Sequence, residues 1–149
     1  MIRIGLLAGL LVPAGLLSLG APAFAQTVGP CPGNVGSAAV SKPSWVLFDL
    51  GSAVVKPEAR ATIAEAAKTA KNRQATKVCI VGQTDKLGDK NYNAKLAQQR
   101  SQAVANELIK AGYPAKNVVI ASNPEAFGNL SFGSDDASVK DRRVTIIPR

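Results

Sequence analysis

The sequence of 149 residues contains no histidine and only two cysteines, Cys31 and Cys79. Without histidine, the chain cannot form a Ser-His-Asp or Cys-His catalytic group, and it cannot hold a metal ion through imidazole. The phosphate-binding loops GxGxxG and GxxxxGK[ST] are also absent from the sequence. These kinds of catalysis are therefore excluded, and we expect a binding protein rather than an enzyme, with no cofactor and no metal.

The first 25 residues have the pattern of a secretory signal peptide. Arg3 provides a positive charge, residues 4–19 are apolar, and Ala23-Phe24-Ala25 fits the cleavage pattern, so the mature chain is predicted to begin at Gln26. An uncleaved membrane anchor is the alternative, but the apolar run is short and is interrupted by Pro13. We therefore expect an exported protein of about 124 residues, a single domain without a transmembrane segment after cleavage.

The charge of the chain is strongly basic, with 18 Lys and Arg against 10 Asp and Glu and a formal net charge of +8. A basic chain can bind nucleic acid, but an exported protein does not meet the chromosome. The sequence also lacks aromatic residues interleaved with its Lys and Arg, which single-strand binding would favour. No nucleic-acid partner is expected. The positive charge suits acidic polymers of the cell envelope or serves solubility.

Residues 26–44 are rich in Pro, Gly, Ser and Ala and show no periodicity, which predicts an extended N-terminal arm. The arm contains Cys31, and Cys79 lies in a predicted strand. Two cysteines in an exported chain favour a disulfide, although two unpaired buried cysteines remain the alternative. Because Cys79 alternates with Val78 and Ile80, it should face the opposite side of the sheet, and the arm is expected to cover that side.

Strands and helices alternate along the rest of the chain, from Trp45 to Arg149. A polar, glycine-rich segment at 122–140 is long for a connection in a compact domain. The order β-α-β-α-β-β predicts an α/β sandwich (an α+β fold) with two helices on one face of a four-stranded mixed sheet. The predicted strands are Trp45–Phe48, Thr76–Val81, Val118–Ile120 and Val144–Ile147. The first helix runs from Pro57 to about Asn72 and buries Ala59, Ile63, Ala66, Ala67 and Ala70.

The second helix carries an arginine on its apolar face. Asp89 is the predicted N-cap, and Gly112 is predicted to follow the end of the helix at Ala111. Asn93 and Arg100 are seven residues apart and share a face with the apolar residues. A guanidinium on that face is costly to desolvate unless an anion meets it, and the helix offers no acid three or four residues away. The expected anion is Asp85 or a ligand. The apolar residues of this face are Leu96, Ala103, Val104, Leu108 and Ala111.

The run Gly82-x-Thr84-Asp85-x-x-Gly88, followed by Tyr92-Asn93, Leu96 and Arg100, resembles the OmpA-like peptidoglycan-binding domain. Phe48-Asp49 near the start and Arg142-Arg143-Val144 near the end extend the resemblance over residues 45–149. A lone Thr-Asp pair would carry no information. A pattern of this length in a strand-loop-helix context is specific.

The resemblance implies non-covalent binding of peptidoglycan through the diaminopimelate residue of the stem peptide. The family's acidic and basic ligand residues fall on Asp85 and Arg100, which suit an ammonium and a carboxylate. Asn93 and Thr84 can add polar contacts. Asp49 either caps the turn after the first strand or lies at the rim of the site.

The implied location is the periplasm, and association with the outer membrane would require a partner protein of the envelope. The alternative is an envelope protein-interaction module that has kept the OmpA-like fold without wall binding. Gln83 and Asp141 depart from the residues that are usual in the family, and both departures bear on affinity or on the preferred stem peptide.

Overall fold

The computed structural model describes residues 27–29, 31, 42–84, 89–121 and 142–149. The predicted signal peptide, most of the predicted arm, Asp85 to Gly88, the segment 122–140 and Asp141 lie outside the described residues. The described elements are strands β1 (Thr27–Val28) and β2 (Ser44–Leu47), helix α1 (Pro57–Asn72), β3 (Val78–Gly82), helix α2 (Lys90–Lys110), a 3-10 turn (Ala115–Asn117), β4 (Val118–Ile120) and β5 (Arg143–Pro148).

The strands form one mixed sheet in the order β1-β4-β3-β5-β2. β3 and β4 are parallel, and β5 runs antiparallel to both β3 and β2, with Ile80 opposite Ile146. The two helices pack on this sheet, which confirms the predicted four-stranded α+β arrangement. The arm adds a fifth strand that the sequence did not indicate. This strand, β1, lies parallel to β4, and Gly29 N–H donates to Ile120 O at 3.1 Å.

Helix α1 follows the sequence prediction closely. Pro57 occupies its first turn, where the missing N–H has no helical partner to lose. The small side chains on its inner face allow the helix axis to approach the sheet and α2 closely. The five residues predicted to be buried are the five that the structure buries: Ala59, Ile63, Ala66, Ala67 and Ala70.

Helix α2 begins and ends as the sequence indicates. The Asp89 carboxylate accepts a hydrogen bond from Tyr92 N–H at 2.8 Å, and Gly112 has a φ of 87°, which favours glycine after a helix. Its buried face is rotated slightly from the predicted one. Ala103 and Ala111 are only partly buried, while the structure fully buries Ala97, Ser101 and Ala105 beside Leu96, Val104 and Leu108.

The burial of Ala97 and Ser101 has a local cause at Gly82, the last residue of β3. A Cβ at this position would overlap the carbonyl oxygen of Ala97 and lie 2.6 Å from the Ser101 hydroxyl oxygen. Because glycine has no side chain, β3 and α2 approach each other closely at this end of the sheet. That approach brings the middle of α2 against the residues that follow β3.

Two apolar layers lie on opposite faces of the sheet. The larger layer fills the space between the sheet and the helices, with Val46, Ile80 and Leu108 among its buried members. The smaller layer lies on the other face and contains Cys79, Val81, Val119 and Ile147, against which Cys31 packs.

Cys31 and Cys79 form a disulfide, as predicted. Cys79 faces away from the helices, so the bond fixes this part of the arm to the second face of the sheet. In the described part of the chain, no helix has the length and the apolar character needed to span a membrane.

Candidate functional site

Arg100 is fully buried, with 0% of its surface exposed. Its Nε donates a hydrogen bond to Ser52 O at 2.8 Å, and its Nη2 donates to Asp49 O at 2.9 Å. Its Nη1 donates to Gln83 O at 3.4 Å, and its Cζ lies 5.3 Å from the centroid of the Phe48 ring. The guanidinium therefore joins α2 to the turn after β2 and to the residue after β3.

The three carbonyl groups orient the guanidinium. Each carbonyl oxygen presents the negative end of its dipole to the buried charge, which offsets part of the cost of removing the guanidinium from water. The sequence predicts Asp85 or a ligand as the partner of Arg100 and does not indicate the carbonyl groups. No sequence signal could have identified them, since every residue carries a carbonyl and only the chain path decides which ones converge.

The turn after β2 presents its backbone to Arg100 and its charged side chain to solvent. Ser52 N–H donates to Asp49 O at 3.2 Å, and Gly51 has a φ of 64°, which permits the tight turn. The Asp49 carboxylate points outward and contacts Lys56 Nζ at 2.7 Å. The hydrogen bond to Asp49 raises the pKa of Lys56. Asp49 therefore bonds the buried Arg100 through its backbone carbonyl and forms an exposed ion pair with Lys56 through its side chain.

Gln83 lies between two arginines. Its backbone oxygen accepts from Arg100, and its side-chain Oε1 accepts from Arg143 Nε at 2.7 Å. Its N–H donates to Arg143 O at 2.8 Å, which extends the pairing of β3 with β5 by one residue. Thr84, the next residue, is half-buried and is the last one described before Asp85. Gln83, which departs from the usual family residue, is thus part of the hydrogen-bond network around Arg100.

Asn93 lies in the first turns of α2, where its N–H donates to Asp89 O at 3.0 Å. It is half-buried and lies seven residues before Arg100, on the same side of the helix. Because β2 and β3 point the same way in the sheet, the residues following them meet at one edge, beside the start of α2. The structure brings Asp49, Thr84, Asn93 and Arg100 to that edge, and Asp85 lies outside the described residues.

The family comparison matches this architecture. The model of the OmpA family matches residues 47–144, which run from the last residue of β2 through both helices, β3 and β4 to the second residue of β5. The chain belongs to the OmpA family.

Individual relatives support the assignment to the OmpA family. The chain is 32% identical over 107 residues to the probable lipoprotein YiaD of Escherichia coli, an alignment that covers 72% of this chain and 49% of YiaD. It is 33% identical over 108 residues to the outer-membrane lipoprotein YfiB of Pseudomonas aeruginosa, covering 70% of this chain and 62% of YfiB. The chain therefore spans less than two thirds of these curated relatives, both of which are lipoproteins by name.

A solved structure shows the same fold at higher mutual coverage. The peptidoglycan-associated lipoprotein of Burkholderia pseudomallei superposes with a TM-score of 0.58 and 25% sequence identity. The match covers 71% of this chain and 90% of the Burkholderia chain. The two helices on a mixed sheet are therefore the OmpA-like arrangement.

Other candidate sites in the described part of the chain are weaker. A groove of about 840 Å³ lies between α1 and β2, with Lys42, Glu65, Thr69 and Arg73 among its lining residues. None of the predicted site residues lines it. Within the described ranges, no three acidic, cysteine or histidine side chains gather as metal ligands would. The edge of the sheet around Arg100 is thus the candidate site of this OmpA-like domain.

Proposed function

We propose that this OmpA-family chain binds cell-wall peptidoglycan non-covalently, through the diaminopimelate residue of the stem peptide. The observation that carries the proposal is the buried guanidinium of Arg100, oriented by carbonyls from the turn after β2 and from Gln83. Carbonyls at this end of the sheet hold the planar guanidinium in one orientation, which supports recognition of a carboxylate by its N–H groups. The name of the Burkholderia relative, a peptidoglycan-associated lipoprotein, supports the choice of polymer.

The free end of diaminopimelate carries one ammonium and one carboxylate, and the proposed site offers one residue for each. Arg100 binds the carboxylate through charge-assisted hydrogen bonds, and Asp85 accepts from the ammonium. Asp85 follows Thr84 directly in the chain, so the loop that carries it leaves the sheet beside Gln83 and Arg100. Thr84 and Asn93 supply polar contacts, and Asp49 with its Lys56 partner forms the rim.

The proposed location is the periplasm, reached by cleavage of residues 1–25, with residues 26–44 as an arm and 45–149 as the binding domain. Association with the outer membrane would then depend on an envelope protein partner. The proposed role is binding alone, without a catalytic step. The name of one relative, an outer-membrane lipoprotein, supports a location in the envelope.

Co-sedimentation with purified wall sacculi tests the proposal. The wild type should pellet with sacculi, and free diaminopimelate should release it. Asp85→Asn, which keeps the shape of the side chain and removes its charge, should abolish pelleting while preserving the melting temperature. Glu65→Gln is the matched control, because it removes one negative charge from an exposed position on α1.

The same assay separates the proposal from the alternative function. A wild type that stays in the supernatant, with a native melting profile, would reject wall binding and favour a protein-interaction module of the envelope. Pelleting that free diaminopimelate does not relieve would reject the proposed ligand while leaving binding to the polymer. Release of soluble muropeptides would contradict a purely binding role.

A further inference from the structure

Trp45 is the only tryptophan of the chain, and 60% of its side chain is exposed. It lies in β2, on the face of the sheet opposite the helices, since its neighbour Val46 is buried against them. Leu47 lies on the same face two residues along and is 50% exposed. Exposing the large apolar surface of an indole to water is unfavourable. The residues that surround Trp45 therefore indicate whether the side chain is placed to contact a ligand.

The environment of Trp45 is organised. The Cζ of Arg143 lies 5.2 Å from the centroid of the indole ring, at cation-π distance. The same guanidinium donates from Nε to Gln83 Oε1 at 2.7 Å, so it is fixed both by the indole and by the amide of Gln83. The stacked guanidinium restricts the indole, and the amide of Gln83 fixes the guanidinium. The result is an exposed aromatic ring bordered by two oriented planar polar groups.

We propose that Trp45, Arg143 and Gln83, here called the indole platform, bind the N-acetylated glycan strand of the wall. The inference rests on the proposed function, in which the stem peptide of the same polymer occupies the site at Arg100. A sugar ring has an apolar face of C–H groups and an equator of hydroxyl and acetamide groups. An exposed indole matches the first, and an oriented guanidinium and amide match the second.

The composition of the indole platform favours a saccharide over a protein partner. Protein interfaces are centred on several apolar anchors packed into pockets, whereas this surface has one ring and one leucine beside polar groups. It also favours a neutral ligand over a polyanion, because the Arg143 guanidinium is already engaged with the ring and with Gln83. A neutral hexosamine strand meets both conditions.

Gln83 connects the indole platform to the peptide site. Its side chain holds Arg143, and its backbone oxygen accepts from Arg100 at 3.4 Å. In the wall polymer the glycan strand and the stem peptide are covalently joined. Contacts at both sites therefore reinforce each other through effective concentration, and each can be weak alone.

Intrinsic fluorescence tests the inference directly, because Trp45 is the only tryptophan and can be excited selectively, without the two tyrosines. The probe is chitotetraose, a β-1,4-linked N-acetylglucosamine tetramer that has the glycan chemistry and no peptide. We expect a saturable change of emission with millimolar chitotetraose and none with cellotetraose, which lacks the acetamide groups. Arg143→Lys keeps the fluorophore and should weaken chitotetraose binding about tenfold, since its ammonium cannot both stack flat and hydrogen-bond Gln83.

Sacculus affinity supplies a second readout. Trp45→Ala should keep the wild-type melting temperature and weaken sacculus binding about tenfold, while free diaminopimelate still releases the bound fraction. Val54→Ala, which truncates an apolar side chain that is 73% exposed in the turn before α1, is the control and should bind as the wild type does.

The outcomes distinguish the two proposals. If chitotetraose leaves the emission unchanged while diaminopimelate still releases the protein from sacculi, the indole platform is rejected and the proposed function stands. If chitotetraose binds in a Trp45-dependent way but diaminopimelate has no effect on sacculus binding, the indole platform is supported and the peptide ligand is rejected. An emission change caused only by other envelope proteins would overturn the saccharide assignment.

Discussion

Arg100 and Asp49 are 51 residues apart in the chain, yet Nη2 of Arg100 donates a hydrogen bond of 2.9 Å to the carbonyl oxygen of Asp49. The same side chain bonds the Ser52 carbonyl, so one residue of α2 holds both ends of the turn that follows β2. The proposed ligand-binding arginine thus also stabilises the fold. Variants at this position must be judged by stability as well as by binding.

Arg100→Lys is expected to lower the free energy of unfolding by about 2–4 kcal/mol. The three N–H groups of a lysine ammonium leave from one nitrogen, whereas the three carbonyls are bonded by three different nitrogens of the guanidinium. Lysine therefore leaves some of these carbonyls without a donor. Urea denaturation followed by circular dichroism measures the change. For this reason Asp85→Asn, rather than a change at Arg100, is the primary variant for the binding test.

Arg60→Lys is the matched control for Arg100→Lys. Its side chain is 60% exposed and contacts Glu107 at 3.9 Å, so the same substitution should change the stability by less than about 0.5 kcal/mol. Equal urea midpoints for the two variants would show that the carbonyls around Arg100 do not need its guanidinium.

Gly82→Ala is expected to destabilise the fold by about 1–3 kcal/mol. A Cβ at this position meets the backbone oxygen of Ala97, and backbone cannot move aside as the end of a flexible side chain can. Thermal unfolding measures the effect. The control is Gly29→Ala, where nothing lies within 4 Å of the added carbon. A Gly82→Ala protein as stable as the wild type would mean that α2 can withdraw from β3 without loss.

The elements that the sequence predicted correctly are those with local determinants. Helix α1 was bounded correctly because Pro57 marks its start and its alanines recur at helical spacing. Helix α2 was bounded by the Asp89 cap and by Gly112. The disulfide followed from the count of two cysteines. The signals for the helices lie within a few residues of the helix ends that they predict. The disulfide needed no local signal, because the chain has only two cysteines.

The features that the sequence could not predict depend on distant backbone. The pairing of β1 with β4 places Thr27 opposite Val119. Because β1 has only two residues, its sequence shows no alternation that could predict a strand. Arg100 also donates to the backbone carbonyls of Asp49 and Ser52, and the side chains of these two residues do not indicate that their carbonyls face Arg100. The hydrogen bond from Arg143 to Gln83 also has no signal in the sequence, where Gln83 stands out only as a departure from the family pattern.

Ser101→Ala is expected to leave the protein as stable as the wild type or to stabilise it by about 1 kcal/mol. The Ser101 hydroxyl is buried, and among the described residues it has no hydrogen-bond partner. Removing it eliminates the cost of desolvating a polar group and leaves an alanine that suits a helix interior. Ser52→Ala is the contrasting variant, since the Ser52 hydroxyl accepts from Val54 N–H at 3.1 Å. A clear loss of stability in Ser101→Ala would indicate a partner for the hydroxyl.

Cys31→Ala is expected to lower the stability by about 4 kcal/mol in the chain-entropy model, because the disulfide closes a loop with a sequence separation of 48. Reduction of the wild type should produce a similar loss, which distinguishes the bond from the packing of Cys31 itself. In the folded variant the Cys79 thiol is expected to resist labelling, since Cys79 is 0% exposed in the wild type. An unchanged melting temperature after complete reduction would reject a stabilising role.

Tyr113→Phe tests a buried hydroxyl at the end of the fold away from Arg100. The Tyr113 hydroxyl donates to Ala75 O at 3.0 Å, and its loss should cost about 1 kcal/mol at neutral pH. Burial raises the pKa of Tyr113, because the charged phenolate is poorly solvated there. The stabilising contribution of the neutral phenol is therefore complete below the unfolded-state pKa of about 10 and is lost as pH rises through the folded-state pKa.

The stability difference between wild type and Tyr113→Phe should accordingly shrink as the pH is raised above about 10. Urea midpoints measured for both proteins across this range give the difference, and shared effects of lysine and arginine titration cancel in it. Tyr92→Phe is the control at neutral pH, because its side chain is 57% exposed and its hydroxyl should contribute little. A difference that stays constant into strongly alkaline solution would mean that the Tyr113 phenolate is tolerated in the folded state. In that case the hydroxyl would have to reach water through a local opening beside Ala75.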